Sequence, residues 1–332
     1  MLIAIHAQQF PRVLTSIRGG VFLLAISAMV GGVVSCSNQN SRRTKPPFLF
    51  LFEEHPFQMN CSDWPAPLPP GTHAYVTVSP SARYARTRLE TLDLPLNEVP
   101  ALTIAADPYN SLIQIGGANQ NHWKIQYCAK GKGDTAEEAT GYMRGVSMRR
   151  TGSLLTLNGT DLNGLSGGEG TLLVDAPADA PVIVHSWGAI EVHDVAGPVR
   201  IAATRGRAIV LNTSGLVDAS AQIIDYASSI GEATLNADWE INIRITAQQF
   251  SGHLNAYAQQ KVQAFFPAGF QSPIDVYVNR PGDFNCRAEF CSKMKKSREN
   301  SLYRFTYGEV TKTRAPIHLR SETSQITLDT VQ

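Results

Sequence analysis

From residue 171 onward, apolar and polar positions alternate in short runs closed by Gly, Pro, Asn or Asp: TLLVDAP, VIVHSW, AIEVHD, PVRIAAT, AIVLNT and LVDAS. Alternation with a period of two puts successive side chains on opposite faces, so each run predicts a β-strand with one apolar face. Ile190 and Ile209 lie 19 positions apart, as do Val192 and Leu211, and Val199 and Val217 lie 18 apart. A two-strand unit repeating at this period predicts an all-β chain wound as a right-handed β-solenoid, where each unit buries its apolar side only by stacking on the next. A β-sandwich also spaces its strands by roughly 8–12 residues, but the regular period favours the solenoid. The pattern loosens through EATLNAD, EINIRIT, HLNAYA and KVQAFFP. It returns in HLRSETSQITLDT, where Ile326 and Leu328 are expected to take the places of Ile190 and Val192.

Upstream, residues 73–170 predict β-hairpins and one short helix. SLIQIGG and HWKIQYCAK, joined by GANQN, suggest a hairpin. Its second arm has Trp123, Ile125, Tyr127 and Ala129 on one face and Cys128 on the other. Thr135 followed by Glu138 forms a capping box, and Ala139, Tyr142, Met143 and Val146 then share one helical face. The solenoid region is assigned to residues 171–332. The segment NRPGDFNCRAEFCSKMKKSREN, 279–300, interrupts the pattern and is expected to be a long loop.

The N-terminus changes the compartment. Arg12 and Arg18 precede GGVFLLAISAMVGGVVSC, an apolar stretch of about 15 residues with small residues at its end, as in a secretory signal. A membrane span needs roughly 20. The ending VVSC predicts a lipoprotein-type signal over 1–35, cleavage before Cys36, and a lipid on its thiol. The partner is then the lipid bilayer, reached through the Cys36 acyl anchor. Residues 36–72, with SNQNSRRTKPPF and DWPAPLPPG, read as a proline-rich tether. Removing 1–35 takes the formal net charge from +1 to −1. Neither value pushes the chain toward nucleic acid, and none is expected as a partner. Four cysteines remain, an even number suited to disulfides in an exported chain. Cys286 and Cys291 are close enough for a local staple, leaving Cys61 and Cys128, although four cysteines permit three connectivities.

The composition, 43% hydrophobic and 17% charged with 26 Gly, suits short strands and tight turns. Chemistry is sparse. GLSGG, 164–168, matches a nucleophile elbow, but lies between two strands rather than between a strand and a helix. His185 and His193, with Asp194, flank one turn without a third metal ligand. A polysaccharide lyase would need a base and a charge neutraliser in one groove, for which Arg200, Arg205, Arg207, Asp225 and Tyr226 are the candidates. No catalytic residue, metal or cofactor is assigned. The basic run Lys293, Lys295, Lys296 and Arg298, with Phe290 for apolar contact, is the candidate binding loop.

The stretch TLLVDAPADAPVIVHSWGAIEVHDVAGPVRIAATRGRAIVLNTSG resembles the bacterial putative-adhesin family of unknown function, related to auto-transporter adhesin head domains. The resemblance covers roughly residues 100–332 and implies a β-solenoid with no established catalytic residues. Trp187 and Arg205 depart from it, standing where Asn or Ser usually precedes the turn glycine, and 279–300 lies outside the pattern. Together these features predict a non-catalytic cell-envelope lipoprotein, adhesin-like or structural, whose partner is a surface glycan or an envelope protein. The alternatives are a periplasmic stress or signalling accessory that binds a membrane protein, and a polysaccharide-acting enzyme.

Overall fold

A computed structural model of the chain describes residues 61, 84–107, 110–163, 166–299, 301–309, 316–323 and 325–331. The leader 1–35, Cys36 and all of the tether except Cys61 lie outside the described residues. The strands are, in chain order, β1 (Tyr84–Pro95), β2 (Leu102–Ala106), β3 (Asn110–Ala118) and β4 (His122–Gly133), then helix α1 (Ala136–Gly145). Next come β5 (Ser147–Thr151), β6 (Leu154–Asn158), β7 (Thr160–Asn163), β8 (Ser166–Pro177), β9 (Val182–Ser186) and β10 (Ala189–His193). The long strands β11 (Val199–Leu211), β12 (Leu216–Ser228) and β13 (Ile230–Ile245) follow, then β14 (Ser251–Ala258), β15 (Lys261–Phe266), β16 (Ile274–Val278) and β17 (Phe284–Cys286). The last are β18 (Lys295–Glu299), β19 (Leu302–Tyr307), β20 (Ile317–Ser321) and β21 (Ile326–Thr330).

All belong to one large mixed sheet. Its parallel pairings form two stacks. One runs β6, β2, β9, the first halves of β11, β12 and β13, then β14, β20 and β16. The other runs β8, β3, β10, the second halves of β11, β12 and β13, then β15, β21 and β17. The three long strands pass through both, with register shifts between Ala203 and Arg207 and between Ala221 and Ile223. At the first bend a Cβ on Gly206 would lie 2.0 Å from the Gly188 carbonyl oxygen, so only glycine lets the layers close there.

Each stack aligns its apolar residues across the layers. In the first, Ile104, Val184, Ile201, Ala219, Leu235, Ala256, Leu319 and Val276 form one buried row. In the second, Ile190 pairs in turn with Ala208, Ile224, Ile241, Val262 and Ile326. Ile326 and Leu328 therefore share rows with Ile190 and Val192. The spacing of 19 does not match the register. Ile190 aligns with Ala208 and Val192 with Val210, because the bend before Arg207 turns Ile209 and Leu211 to the outer side. Full burial of one Val, Leu or Ile contributes about 1.5–3 kcal/mol, so rows like these supply the main driving force for stacking.

Layer order departs from chain order at both ends. The β6 and β8 layer lies outside the β2 and β3 layer that precedes it in sequence. At the other end, the last strands return inward: β20 sits between β14 and β16, and β21 between β15 and β17. This explains why the expected hairpin of β3 and β4 does not form. Both edges of β3 are taken by parallel partners, β8 and β10, and β4 pairs antiparallel with β8 and β1 instead.

On β4, Trp123, Ile125, Tyr127 and Ala129 face the core, and Cys128 on the other side bonds Cys61. α1 has both bonds of its Thr135–Glu138 capping box. It lies so close to β4 that a Cβ on Gly131 would be 2.0 Å from the Ala139 carbonyl oxygen. The segment 279–300 is not a plain loop. It contains β17, two short 3-10 turns and β18, and its basic run continues into a strand. Among the described residues no helix is long and apolar enough to cross a membrane.

Candidate functional site

The candidate binding residues lie at the end of the stacks where β18 and β19 form an antiparallel hairpin on β16. Strand alternation divides β18 between two faces. Lys296 and Arg298 pair with Phe305 and Tyr303, whereas Lys295 and Ser297 pair with Thr306 and Arg304. Lys296 Nζ lies 5.1 Å from the Tyr303 ring centre and 5.9 Å from that of Phe305, and the Arg298 guanidinium lies 5.5 Å from Tyr303. The rings hold the cationic stems while the charged ends remain exposed. Phe305 rests on Phe284 with ring centres 4.2 Å apart.

The Cys286–Cys291 disulfide braces the chain leading into this hairpin, and Met294 Sδ lies 3.6 Å from Cys286 Sγ. Phe290 does not serve as surface contact. It is buried, edge-on to Phe266 at 5.3 Å and against Tyr307 at 4.7 Å. An apolar side chain next to a basic run stays exposed only if the backbone turns it outward, and here the 3-10 turn Glu289–Lys293 turns it inward.

On the outer face beside the hairpin, Asp275 of β16 is nearly buried and accepts from Arg304 Nε and Nη2 of β19, each at 2.9 Å. His318 of β20 approaches it at 3.8 Å from the other side. Burial raises the Asp275 carboxyl pKa, but His318 and Arg304 outweigh burial and hold it below the usual carboxylate value. Arg304 also reaches Glu299 at 3.2 Å. Tyr277 lies between His318, 5.1 Å away ring to ring, and the Arg304 guanidinium at 5.4 Å. Burial, then the Asp275 charge, pushes its hydroxyl up to about 12. Across the layers, Tyr257, Arg320, Tyr277 and Arg304 occupy one register row. The sequence shows none of this cluster: Arg304 meets Asp275 and Tyr277 through the pairing of β16 with β19, and His318 joins only once β20 is placed between β14 and β16.

The other candidates are dispersed. Arg200 pairs with Asp218 at 3.3 Å in the first stack. Arg205 sits at the bend with its guanidinium 4.8 Å from the Trp187 ring centre. Arg207 pairs with the buried Asp225 in the second stack, and Asn242 Nδ2 donates to the same carboxylate at 3.0 Å. Tyr226 lies in the core, in the row of Val210 and Ile243. The structure does not bring these residues into one groove. His185 and His193 fall in different stacks. Among the described residues no group of three or more His, Cys, Asp or Glu side chains is placed to hold a metal ion. Within 164–168, residues 166–168 lie in β8, paired with β7, and 164 and 165 are outside the described residues.

No family model matches the chain, and no curated protein matches it in sequence. Among solved structures, it is similar to a "putative cell adhesion protein" from Clostridium sporogenes at 11% identity and TM-score 0.27, over 74% of this chain and 99% of that one. It is similar to a "putative adhesin" from Bacteroides fragilis at 12% identity and TM-score 0.26, over 74% and 97% of the two chains. One from Parabacteroides merdae matches at 9% identity and TM-score 0.25, with the same coverage. Superpositions this loose decide neither fold nor function.

Proposed function

We propose that the chain is a non-catalytic cell-envelope lipoprotein. A tether from acylated Cys36 would carry a right-handed β-solenoid whose outer surface and basic hairpin serve adhesin-like binding. The observation that carries this reading is the parallel register of the two stacks. Apolar rows line the inside, and outward rows such as Ala202, Ser220, Asn236 and Tyr257 are left partly open to solvent. The right hand follows the strong preference of parallel strand–crossover–strand connections. A polysaccharide-acting enzyme is disfavoured because Arg200 is paired with Asp218, Arg205 lies over Trp187, and Arg207 and Asp225 are taken up with each other.

The test is protease shaving of intact and lysed cells with an antibody to residues 171–332, alongside palmitate labelling of the wild type and Cys36→Ala. Loss of the domain from intact cells and loss of label in Cys36→Ala are expected. Protection in intact cells would turn the surface inward, toward an envelope protein as partner. Label persisting in Cys36→Ala would end the lipoprotein reading.

A further inference from the structure

Charge is unevenly distributed over the described surface. The ion pairs Arg88–Glu90, Lys132–Glu169, Arg200–Asp218, Arg207–Asp225 and Lys261–Glu240 lie before the basic hairpin, and Arg304 of β19 pairs with Asp275 of β16. Between residues 280 and 299 there are six cations and three acids. Among the described residues, none of those cations, Arg280, Arg287, Lys293, Lys295, Lys296 and Arg298, has an ion-pair partner, and all are exposed. Two of the acids are engaged: Glu289 accepts from the Gly269 N–H, and Glu299 binds Arg304. The excess positive charge therefore faces solvent.

Protection of a sheet edge accounts for charge on β18, but not for three cations, Lys295, Lys296 and Arg298, against one acid, Glu299. The edge strand β1 carries two of each, Arg86 and Arg88 with Glu90 and Asp93, and the edge strand β5 carries Arg149 and Arg150, so the hairpin end is set apart by the number of its cations, four within 293–298. We propose that the hairpin end, centred on Lys293, Lys295, Lys296 and Arg298, binds an acidic polysaccharide, a polymer with a carboxylate or sulfate on successive sugars. Lys296 and Arg298 stand two apart on one face of β18, ~7 Å from each other, with Lys295 on the other face, so the strand offers spaced contacts rather than one pocket. Tyr303 and Phe305 hold Lys296 and Arg298 in place. A lipid surface fits less well. Among the described residues, the exposed large hydrophobic ones, Tyr84, Leu89, Leu154, Trp187, Leu216, Ile230 and Trp239, all lie outside 279–309, so none of those there is set to insert. This inference rests on the proposed binding role.

The experiment uses the full chain in detergent against polygalacturonate, dextran sulfate, neutral dextran, duplex DNA and phosphatidylglycerol vesicles. Binding to the first two, absent for neutral dextran and falling with salt, is expected. The variant Lys293→Ala/Lys295→Ala/Lys296→Ala/Arg298→Ala should weaken it roughly tenfold. Lys293→Arg/Lys295→Arg/Lys296→Arg should retain it, which separates lost charge from lost folding. Arg149→Ala/Arg150→Ala, on the distant edge strand β5, should leave it unchanged. No binding to the acidic polymers, equal loss in both alanine variants, or stronger binding to DNA or vesicles would overturn the proposal. Binding by a chain that shaving finds facing inward would retain the ligand and reject the outward-facing role. A surface-exposed chain that ignores acidic glycans would do the reverse.

Discussion

Arg304 grips Asp275 with two nitrogens, each 2.9 Å from a separate carboxylate oxygen, and so clamps β19 to β16. With His318 reaching the same carboxylate at 3.8 Å, one nearly buried acid ties the hairpin to the layer formed by the end of the chain. Arg304→Ala leaves that acid without its main partner. It should destabilise the fold by about 3 kcal/mol in reversible urea unfolding. Arg304→Lys should recover part of this, because an ammonium cannot reproduce the fork. A loss under about 0.5 kcal/mol, the range of exposed pairs, would show that the clamp does not hold the end of the stack.

The same carboxylate sets an acid limit. Its folded pKa lies below the ordinary value, so the unfolded chain binds this proton first. The associated stability is complete above the unfolded pKa of about 3.9 and is lost as pH falls through the folded value. Urea midpoints measured from about pH 5 downward should therefore fall more steeply for the wild type than for Asp275→Asn, which has no proton to gain. Parallel curves would contradict this linkage.

Two glycines should respond in opposite directions. At Gly206 a methyl group would meet the Gly188 carbonyl oxygen at 2.0 Å, so Gly206→Ala must push two layers apart at the bend. The expected cost is about 2–3 kcal/mol or more. At Gly141, within α1, an added Cβ meets nothing within 4 Å. Gly141→Ala should stabilise by about 0.5–1 kcal/mol through helix propensity and the less flexible unfolded chain. Thermal melts of the two variants beside the wild type check both signs.

The sequence made local features legible and left layer order hidden. The core face of β4 and the capping box of α1 depend on neighbours within a few residues, and alternation and spacing expose them. The return of Ile326 and Leu328 to the rows of Ile190 and Val192 was also visible, because an apolar pair at strand spacing recurs. The short connection between β3 and β4 suggests that they pair, and nothing local reveals that β8 claims the intervening edge. The clamp of Asp275, Arg304 and His318 was missed for the same reason. Its members are spread over more than 40 positions: Asp275 and Arg304 meet through the pairing of β16 with β19, and His318 reaches them through the inward return of β20. The basic run stood out by composition, but its division between two strand faces required the pairing with β19.

The two disulfides close loops of very different length, which predicts a ranking. Cys61–Cys128 spans 67 positions and Cys286–Cys291 spans 5. In the chain-entropy treatment, a cross-link restricts the unfolded chain more when the loop is longer, giving about 4 kcal/mol for the first and about 2 kcal/mol for the second. Cys61 also secures a point before β1 to the outer side of β4, so its loss should affect the β1 end of the sheet. Cys286–Cys291 lies beside Phe284 and Met294, in the packing that supports the basic hairpin. Urea unfolding of Cys61→Ala/Cys128→Ala and Cys286→Ala/Cys291→Ala, each retaining the other bridge, should show the larger loss for the first pair. Only the second pair should weaken polygalacturonate binding, because it removes the brace ahead of β18. The reverse order in stability would mean that native packing around Cys286–Cys291, and not loop length, dominates. Unchanged polymer binding in the second pair would show that the hairpin holds its cations without the staple.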